Sequence, residues 1–308
     1  MRDPTLLLPF GLPPTEHAKD LLASLNAPAL AMLMTRATEL PALHFDTFAA
    51  ALPHEIVQYA CSPDNSPSIA HHRMQQLRVA AQAGFWFMLQ PVHLHVARDH
   101  LVLTDLRQLP IDEQTSRHLF ESASPLFDEL GHELRFGDAC HWFMRADAWH
   151  ALRTTTPDAA TGHNVDVWLP SGEHARAWRK LHNEVQMLWH SHPANEAREA
   201  NGQPRINALW LWGGADANQS AAPDSPALVD ESLIPHALAD DWGRWLLAMQ
   251  EIEREHCMPL LKQLQAKAID SLMLQLSDAH LVRQWRVTPL MLKKFWRKPA
   301  LDRLLNLP

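Results

Sequence analysis

An α/β fold, with a mixed or mainly parallel sheet and helices on both faces, is predicted by three features of the sequence. A short apolar run at the start stops at Pro9 and Gly11 and is followed by a helical pattern. The centre is rich in apolar and alternating runs. A strand of buried character, Ala208-Leu209-Trp210-Leu211-Trp212, then meets Gly213-Gly214.

Leu6-Leu7-Leu8 reads as a buried strand, because Pro9, Gly11, Pro13 and Pro14 end the ladder abruptly. From Ala18 to Thr38, Leu21, Leu22, Leu25, Leu30, Leu33 and Met34 recur at near-helical spacing, interrupted by Pro28. A short helix is expected over Pro53–Tyr59, a loop over Pro63–Pro67 and a helix over His71–Gln82. Gly84–Leu89, Val92–Val96 and Leu101–Leu103 read as strands, the last two joined by the polar turn Arg98-Asp99-His100. Ile111–Leu130 is an amphipathic helix with Asp112 and Glu113 in its first turn and Gly131 as its stop.

His141–Arg145 is a strand, Ala175–His190 a helix and Asn218–Pro226 a flexible segment rich in Ser, Ala and Pro. A long helix over Trp242–Leu264, a strand over Ser271–Leu276 and a closing helical piece over Leu290–Leu305 complete the chain. No repeat of fixed period is visible.

The 308 residues are enough for one large domain or two packed ones, and 46% hydrophobic against 20% charged residues is a globular composition. With 27 basic and 35 acidic side chains the formal charge is −8, so nucleic acid is not an expected partner. The tail alone gathers basic residues, Lys293, Lys294, Arg297, Lys298 and Arg303. They read either as the solvated face of a terminal amphipathic helix or as a docking segment. Cys61, Cys140 and Cys257 are dispersed and odd in number, which fits a reducing compartment and no disulfide framework. The start has too short an apolar run for a signal peptide, and no stretch of about twenty apolar residues follows; a cytoplasmic protein with no membrane partner is expected.

The stretch from Leu181 to Gly214, with Asn183-Glu184, His192-Pro193-Ala194-Asn195-Glu196-Ala197-Arg198 and Gly202 to Asn207 before a strand ending in Gly, resembles the archaeal-type cofactor-independent phosphoglycerate mutases. Leu101–Leu103 leading through Asp105 and Arg107 to a helix, then a strand bearing His141 and Arg145, follows the same family order. Over nearly its full length the chain is most similar to a proteobacterial group of RpfE-type regulatory proteins, often labelled phosphoglycerate mutase. The marks are LLLPFGLP at the start, PVHLHVARDHL, the Trp168–Gly172 loop, the HPANEARE and ALWLWGG pair, and the terminal FWRKP.

The resemblance implies an alkaline-phosphatase-like fold, with residues 1–90 and 208–308 forming a discontinuous α/β core and 91–207 an inserted middle subdomain. It places any ligand in the crevice at the carboxyl ends of the strands. In the mutases two metal ions are held by Asp and His ligands, and a Ser or Thr hydroxyl takes the phosphoryl group. Here Phe10-Gly11 stands where an Asp-Gly metal motif is expected, and a phenyl ring does not bind a hard cation. Pro53-His54-Glu55 lies near the nucleophile position, and Ser277-Asp278-Ala279-His280 replaces a late Asp-His motif with one residue inserted. No metal, no cofactor and a regulatory, pseudoenzyme-like role are the resulting expectations; the alternative is an active phosphoglycerate mutase or phosphatase with displaced ligands.

His192, Asn195, Arg198 and Asn207 are candidates for binding a small phosphorylated or carboxylated metabolite, because Arg forks to anions and Asn and His add directed donors. The other reading makes His192-Pro193 a helix cap and gives Arg198 an acidic partner. Arg107, His141 and Arg145 are candidates for a second wall of the same anion pocket, or ordinary salt-bridge partners. His93, His95 and His100 lack a carboxylate that would complete a metal site. Trp210 and Trp212, alternating with leucines, read as core, and Gly213-Gly214 is a weak phosphate cradle without a following GK[ST]. The sequence names no protein partner.

Overall fold

The computed structural model describes residues 3–80, 83–217, 227–294 and 296–305. The chain divides into two compact units, one of Met1–Thr47 with Pro223–Pro308 and one of Phe48–Ala222. The first unit opens with β1 (Thr5–Leu8), α1 (Thr15–Ser24), α2 (Pro28–Arg36) and β2 (Thr38–His44). The second comprises α3 (Pro53–Tyr59), α4 (Ala70–Gln76), β3 (Trp86–Val92), β4 (Leu94–Ala97), β5 (His100–Leu103), α5 (Glu113–Glu129), β6 (Leu134–Phe136), β7 (Trp142–Arg145), α6 (Pro157–Ala160), α7 (Ala175–His190), α8 (Pro193–Ala200) and β8 (Ala208–Ala215). The chain returns to the first unit with β9 (Leu228–Val229), α9 (Ile234–Leu238), α10 (Trp242–Ile252), α11 (Met258–Gln265), β10 (Leu272–Ser277) and β11 (Leu281–Val287).

The first unit carries a mixed sheet in the order β2-β11-β10-β1-β9. β1 pairs in parallel with β10 and β9, while β11 runs antiparallel to both β10 and β2. Leu6, Leu8, Leu272, Leu274, Leu276 and Trp285 pack with Leu30, Leu33, Met34, Trp245, Met249 and Leu264 of the helices. Pro28 does not break a helix; it begins α2 at a position where its missing N–H is harmless. The buried Glu253 carboxylate accepts from the N–H groups of Ala29 (2.6 Å) and Leu30 (2.9 Å), so a charge from α10's far end satisfies the start of α2.

The expected long helix over 242–264 is present with a π turn at Glu253–Cys257, directly before Pro259, whose ring and missing N–H disturb the regular ladder. The closing piece departs from expectation. Among its described residues it holds single 3₁₀ turns at Met291–Lys293 and Asp302–Leu304 in place of a longer helix, and Pro299 lies between them. Its arginines serve α2: Arg303 donates to the carbonyls of Met34 (3.0 Å) and Ala37 (3.2 Å), and Arg297 to that of Thr35 (3.3 Å).

The second unit is built on an antiparallel sheet in the order β6-β7-β3-β8. Alternate residues of β3 feed two cores. Trp86 and Met88 join Trp210 and Trp212 on one face; Phe87 and Leu89 join Leu209 and Leu211 with α5 and α7 on the other. The indole N–H of Trp210 donates to the Thr155 carbonyl (2.8 Å) and that of Trp212 to Gln90 (2.7 Å). The pairing of β3 with β8 holds 86–92 and 208–215 in one sheet, so the divisions at 47/48 and 222/223 differ from the 90/91 and 207/208 boundaries expected from sequence. The expected helix over His71–Gln82 ends at Gln76, and residues 81–82, like the segment Asn218–Pro226, lie outside the described residues. Among the described residues no helix is long and apolar enough to cross a membrane.

Candidate functional site

α8 starts at Pro193, and the His192 side chain caps it by accepting from the Ala194 N–H through Nδ1 (3.1 Å). One residue into the first turn, Asn195 points inward and is fully buried. Its amide donates to the carbonyls of Trp189 (3.0 Å) and Ile206 (2.8 Å), and its Oδ1 accepts from the Ile206 N–H (2.8 Å). Both of that side chain's N–H donors and its carbonyl oxygen are engaged in holding the 189–206 loop together.

Arg198 follows three residues later, on the adjoining face, and is only 3% exposed. Its Nε donates to the Pro204 carbonyl (2.9 Å) and its Nη1 to the Pro110 carbonyl (2.9 Å). Nη2 is buried and has no hydrogen-bond partner among the described residues. Burial lowers the pKa of the guanidinium from its ordinary value, opposed by the nearby charge of Asp112. Arg198 borders a cavity of about 360 Å³ between α8 and the first turns of α5, lined also by Asp112, Thr115, His118, Ala194 and Gln203. Asp112 caps α5 by accepting from the Thr115 N–H (2.8 Å) and Oγ1 (2.6 Å), and those bonds hold its carboxyl below the usual range. Burial and the neighbouring His118 lower the pKa of His192.

The remaining candidates are placed elsewhere in the second unit and are engaged. Asn207 bridges the start of β4, accepting from the Leu94 N–H and donating to the Leu94 carbonyl, both at 2.8 Å. Arg107 forks onto Asp158 (2.9 and 2.7 Å) and reaches Asp105 (3.1 Å). Arg145 is paired with Asp147 (2.8 Å) and His141 with Asp138 (2.8 Å). Among the described residues, none of these bonds joins Arg107, His141 or Arg145 to α8 as a common anion pocket. Gly213 donates its N–H to Ser66 Oγ (2.9 Å) and an added Cβ on Gly214 would meet Phe87 at 2.6 Å, so protein fills the Gly-Gly cradle. His93 and His95 stack at 6.4 Å, with His93 bonded to the Arg205 carbonyl (2.7 Å); no group of three or more His, Cys, Asp or Glu fit to hold a metal occurs among the described residues.

A buried polar cluster that sequence reasoning left unassigned lies beside Arg107. Glu55 accepts from the Leu52 N–H (2.8 Å) and the Thr156 hydroxyl (2.7 Å), so the N3 side chain satisfies the N-cap backbone at the start of α3. Burial, then the charge of Asp158, pushes its pKa up to about 8. Burial takes neighbouring His54 down to about 4. His54 and Glu55 were visible in sequence, but Thr156 and Asp158 lie about a hundred residues away and no local pattern links them.

In the first unit, the carboxyl ends of β1 and β10 lie side by side. Phe10 sits there in the left-handed region (φ 55°), the third residue of a turn closed by the Gly11 N–H on the Leu8 carbonyl (3.1 Å). Its carbonyl accepts from the Trp245 indole (2.9 Å) and its N–H donates to Ser277 Oγ (3.3 Å). Asp278 Oδ1 accepts from the N–H groups of His280 (2.7 Å) and Leu281 (2.9 Å), closing the β10–β11 turn. A cavity of about 330 Å³ opens at this edge, bordered by Phe10, His17, Asp240, Trp242, Asp278 and His280.

No family model and no curated protein matches the sequence. Solved structures similar to it include two. One is the cofactor-independent phosphoglycerate mutase from Thermoplasma acidophilum, at 11% identity and a TM-score of 0.41 over 99% of this chain and 94% of that one. The other is the PH0037 protein from Pyrococcus horikoshii, at 12% identity and a TM-score of 0.46 over 93% of this chain and 87% of that one.

Proposed function

We propose that the chain is a non-catalytic, regulatory relative of the cofactor-independent phosphoglycerate mutases, of the RpfE type it resembles in sequence, and that it binds a small carboxylated or phosphorylated metabolite in the groove beside Arg198. The observation that carries the binding reading is the state of that arginine. A guanidinium buried to 3% exposure, with two of its nitrogens on carbonyls and Nη2 without a partner, is a positive charge without a contacting counter-ion. Burial of a charge is unfavourable unless it is paired, and a ligand carboxylate or phosphate arriving in the adjoining cavity offers the pairing. The non-catalytic reading is supported at the carboxyl edge of the first sheet, where the resemblance calls for a metal-binding Asp and the chain has Phe10. Asp278, the carboxylate of the late Ser277–His280 motif, is engaged in closing a turn.

The test combines two measurements on the full-length protein. Calorimetric titration with 3-phosphoglycerate and with glycerate is expected to show saturable binding of at least one. Incubation with phosphoglycerates and added Mn²⁺ is expected to give no interconversion. Turnover that follows Mn²⁺ and disappears with a chelator refutes the non-catalytic reading; if neither these anions nor any other small carboxylate binds, the metabolite reading falls.

A further inference from the structure

The groove beside Arg198 is not a plain anion site. Asp112 lies on the same wall, near enough that each charge alters the other's ionisation. The Thr115 N–H and hydroxyl keep the Asp112 carboxylate ionised, and each of its oxygens retains accepting capacity after taking one bond. The guanidinium's fork is already divided between the Pro110 and Pro204 carbonyls, and Nη2, buried behind the groove's wall, is the one nitrogen without a partner among the described residues. The lining thus offers one buried positive corner and one fixed negative one, with no second Lys or Arg. A phosphate dianion is poorly matched there: it seeks several donors and would face Asp112 at close range. Ala194 and Ala197 line the same groove with methyl groups, and Gln203 and Thr115 line it as neutral polar residues.

We infer that this groove binds a free α-amino acid as its zwitterion, the carboxylate meeting Arg198 and the ammonium meeting Asp112. The inference rests on the binding reading above and narrows its ligand class. A zwitterion satisfies both corners at once, leaves the net charge of the groove unchanged, and supplies the acceptor that Nη2 lacks. His118 borders the same cavity.

The experiment titrates full-length protein calorimetrically with each of the twenty common L-amino acids singly. For any that binds, it adds the matching 2-hydroxy acid, which lacks the ammonium, and the matching amide, which lacks the carboxylate. 3-Phosphoglycerate and glycerate serve as the anion probes. Binding of at least one amino acid is expected, with both matched analogues at least tenfold weaker. Asp112→Asn is the informative variant: asparagine caps a helix about as well as aspartate, so folding is preserved while the negative corner is removed. It is expected to weaken the amino acid at least tenfold and to leave the hydroxy acid unchanged or tighter. A hydroxy acid that binds as well as its amino acid, or an Asp112→Asn variant that binds the amino acid normally, overturns the zwitterion assignment. Binding of glycerate or 3-phosphoglycerate without any amino acid overturns this inference and leaves the metabolite reading standing. If no probe binds, both fall.

Discussion

Replacing Glu55 by Gln tests whether the buried cluster at α3 governs how stability varies with pH. Burial and the charge of Asp158 raise the Glu55 carboxyl to about 8, against the opposing bonds from Thr156 and Leu52 and the charge of Arg107. Between its ordinary value near 4.5 and 8, the folded chain keeps a proton that the unfolded chain gives up. The stabilisation is therefore complete below the lower value and is lost as pH rises through the upper one. His54 and His182 act in the opposite sense. Burial lowers both to about 4, so each favours the fold increasingly as pH climbs from 4 to 6.5. Below pH 6.5 these slopes oppose one another; above it the histidines' slope fades as their unfolded forms lose the last of their protons, while that of Glu55 continues to 8. Cys61, beside Glu55, is held up near 11 by burial and stays out of that window. At about 1.4 kcal/mol per proton per pH unit, and with the histidines partly offsetting it near 6.5, the interval removes on the order of 1 kcal/mol of stability in the wild type. Glu55→Gln keeps an acceptor for the Leu52 N–H and carries no titrating proton, so its stability should not fall there. Urea unfolding followed by tryptophan fluorescence at pH 6.5, 7, 7.5 and 8 measures both. A wild type that is equally stable at 6.5 and 8, or a variant that keeps the wild-type slope, refutes the assignment.

Three further substitutions probe the contacts around the two sheets. Asn195→Ala removes three hydrogen bonds at a fully buried position and orphans the Ile206 and Trp189 backbone groups; a loss of about 3–5 kcal/mol is expected in urea unfolding, and a loss below about 1 kcal/mol contradicts the structural role. Glu253→Gln sets an amide where a carboxylate meets the first N–H groups of α2, and is expected to lower stability by about 2–3 kcal/mol; an unchanged melting temperature contradicts it. Arg198→Lys replaces a two-carbonyl clamp by a single ammonium and is expected to weaken folding by about 1–3 kcal/mol, measured by thermal melting; an unchanged melt shows that the Pro110 and Pro204 contacts contribute nothing.

What could be read in the sequence was what neighbouring residues decide together. β1 is bounded by Pro9, α5 is bracketed by Asp112 and Gly131, and the Trp-Leu alternation of β8 reports burial on both faces. β2 and β11 escaped notice for a physical reason. β2 is an edge strand with mostly exposed side chains and Pro41 within it, so it has no apolar alternation. In β11 the register shifts between Val282 and Gln284, which puts Val282 and Trp285 three residues apart where an unbroken strand would space them by two or four.

The site follows the same division. A motif marked Arg198 as notable, but whether such an arginine meets a ligand, an acid or a carbonyl depends on residues far off in the chain. Here Pro110, 88 positions away, takes Nη1, and Pro204 takes Nε. Arg107 shows the contrast. Its partner at Asp105 was adjacent in sequence, yet Asp158, 51 positions on, takes both of its Nη donors and turns a candidate anion ligand into one half of an ion pair. Two arginines of the same sequence character thus part company on a single structural fact. Arg107 has carboxylates in contact, and Arg198 is buried with one donor unspent, which is why the search for a ligand belongs at α8.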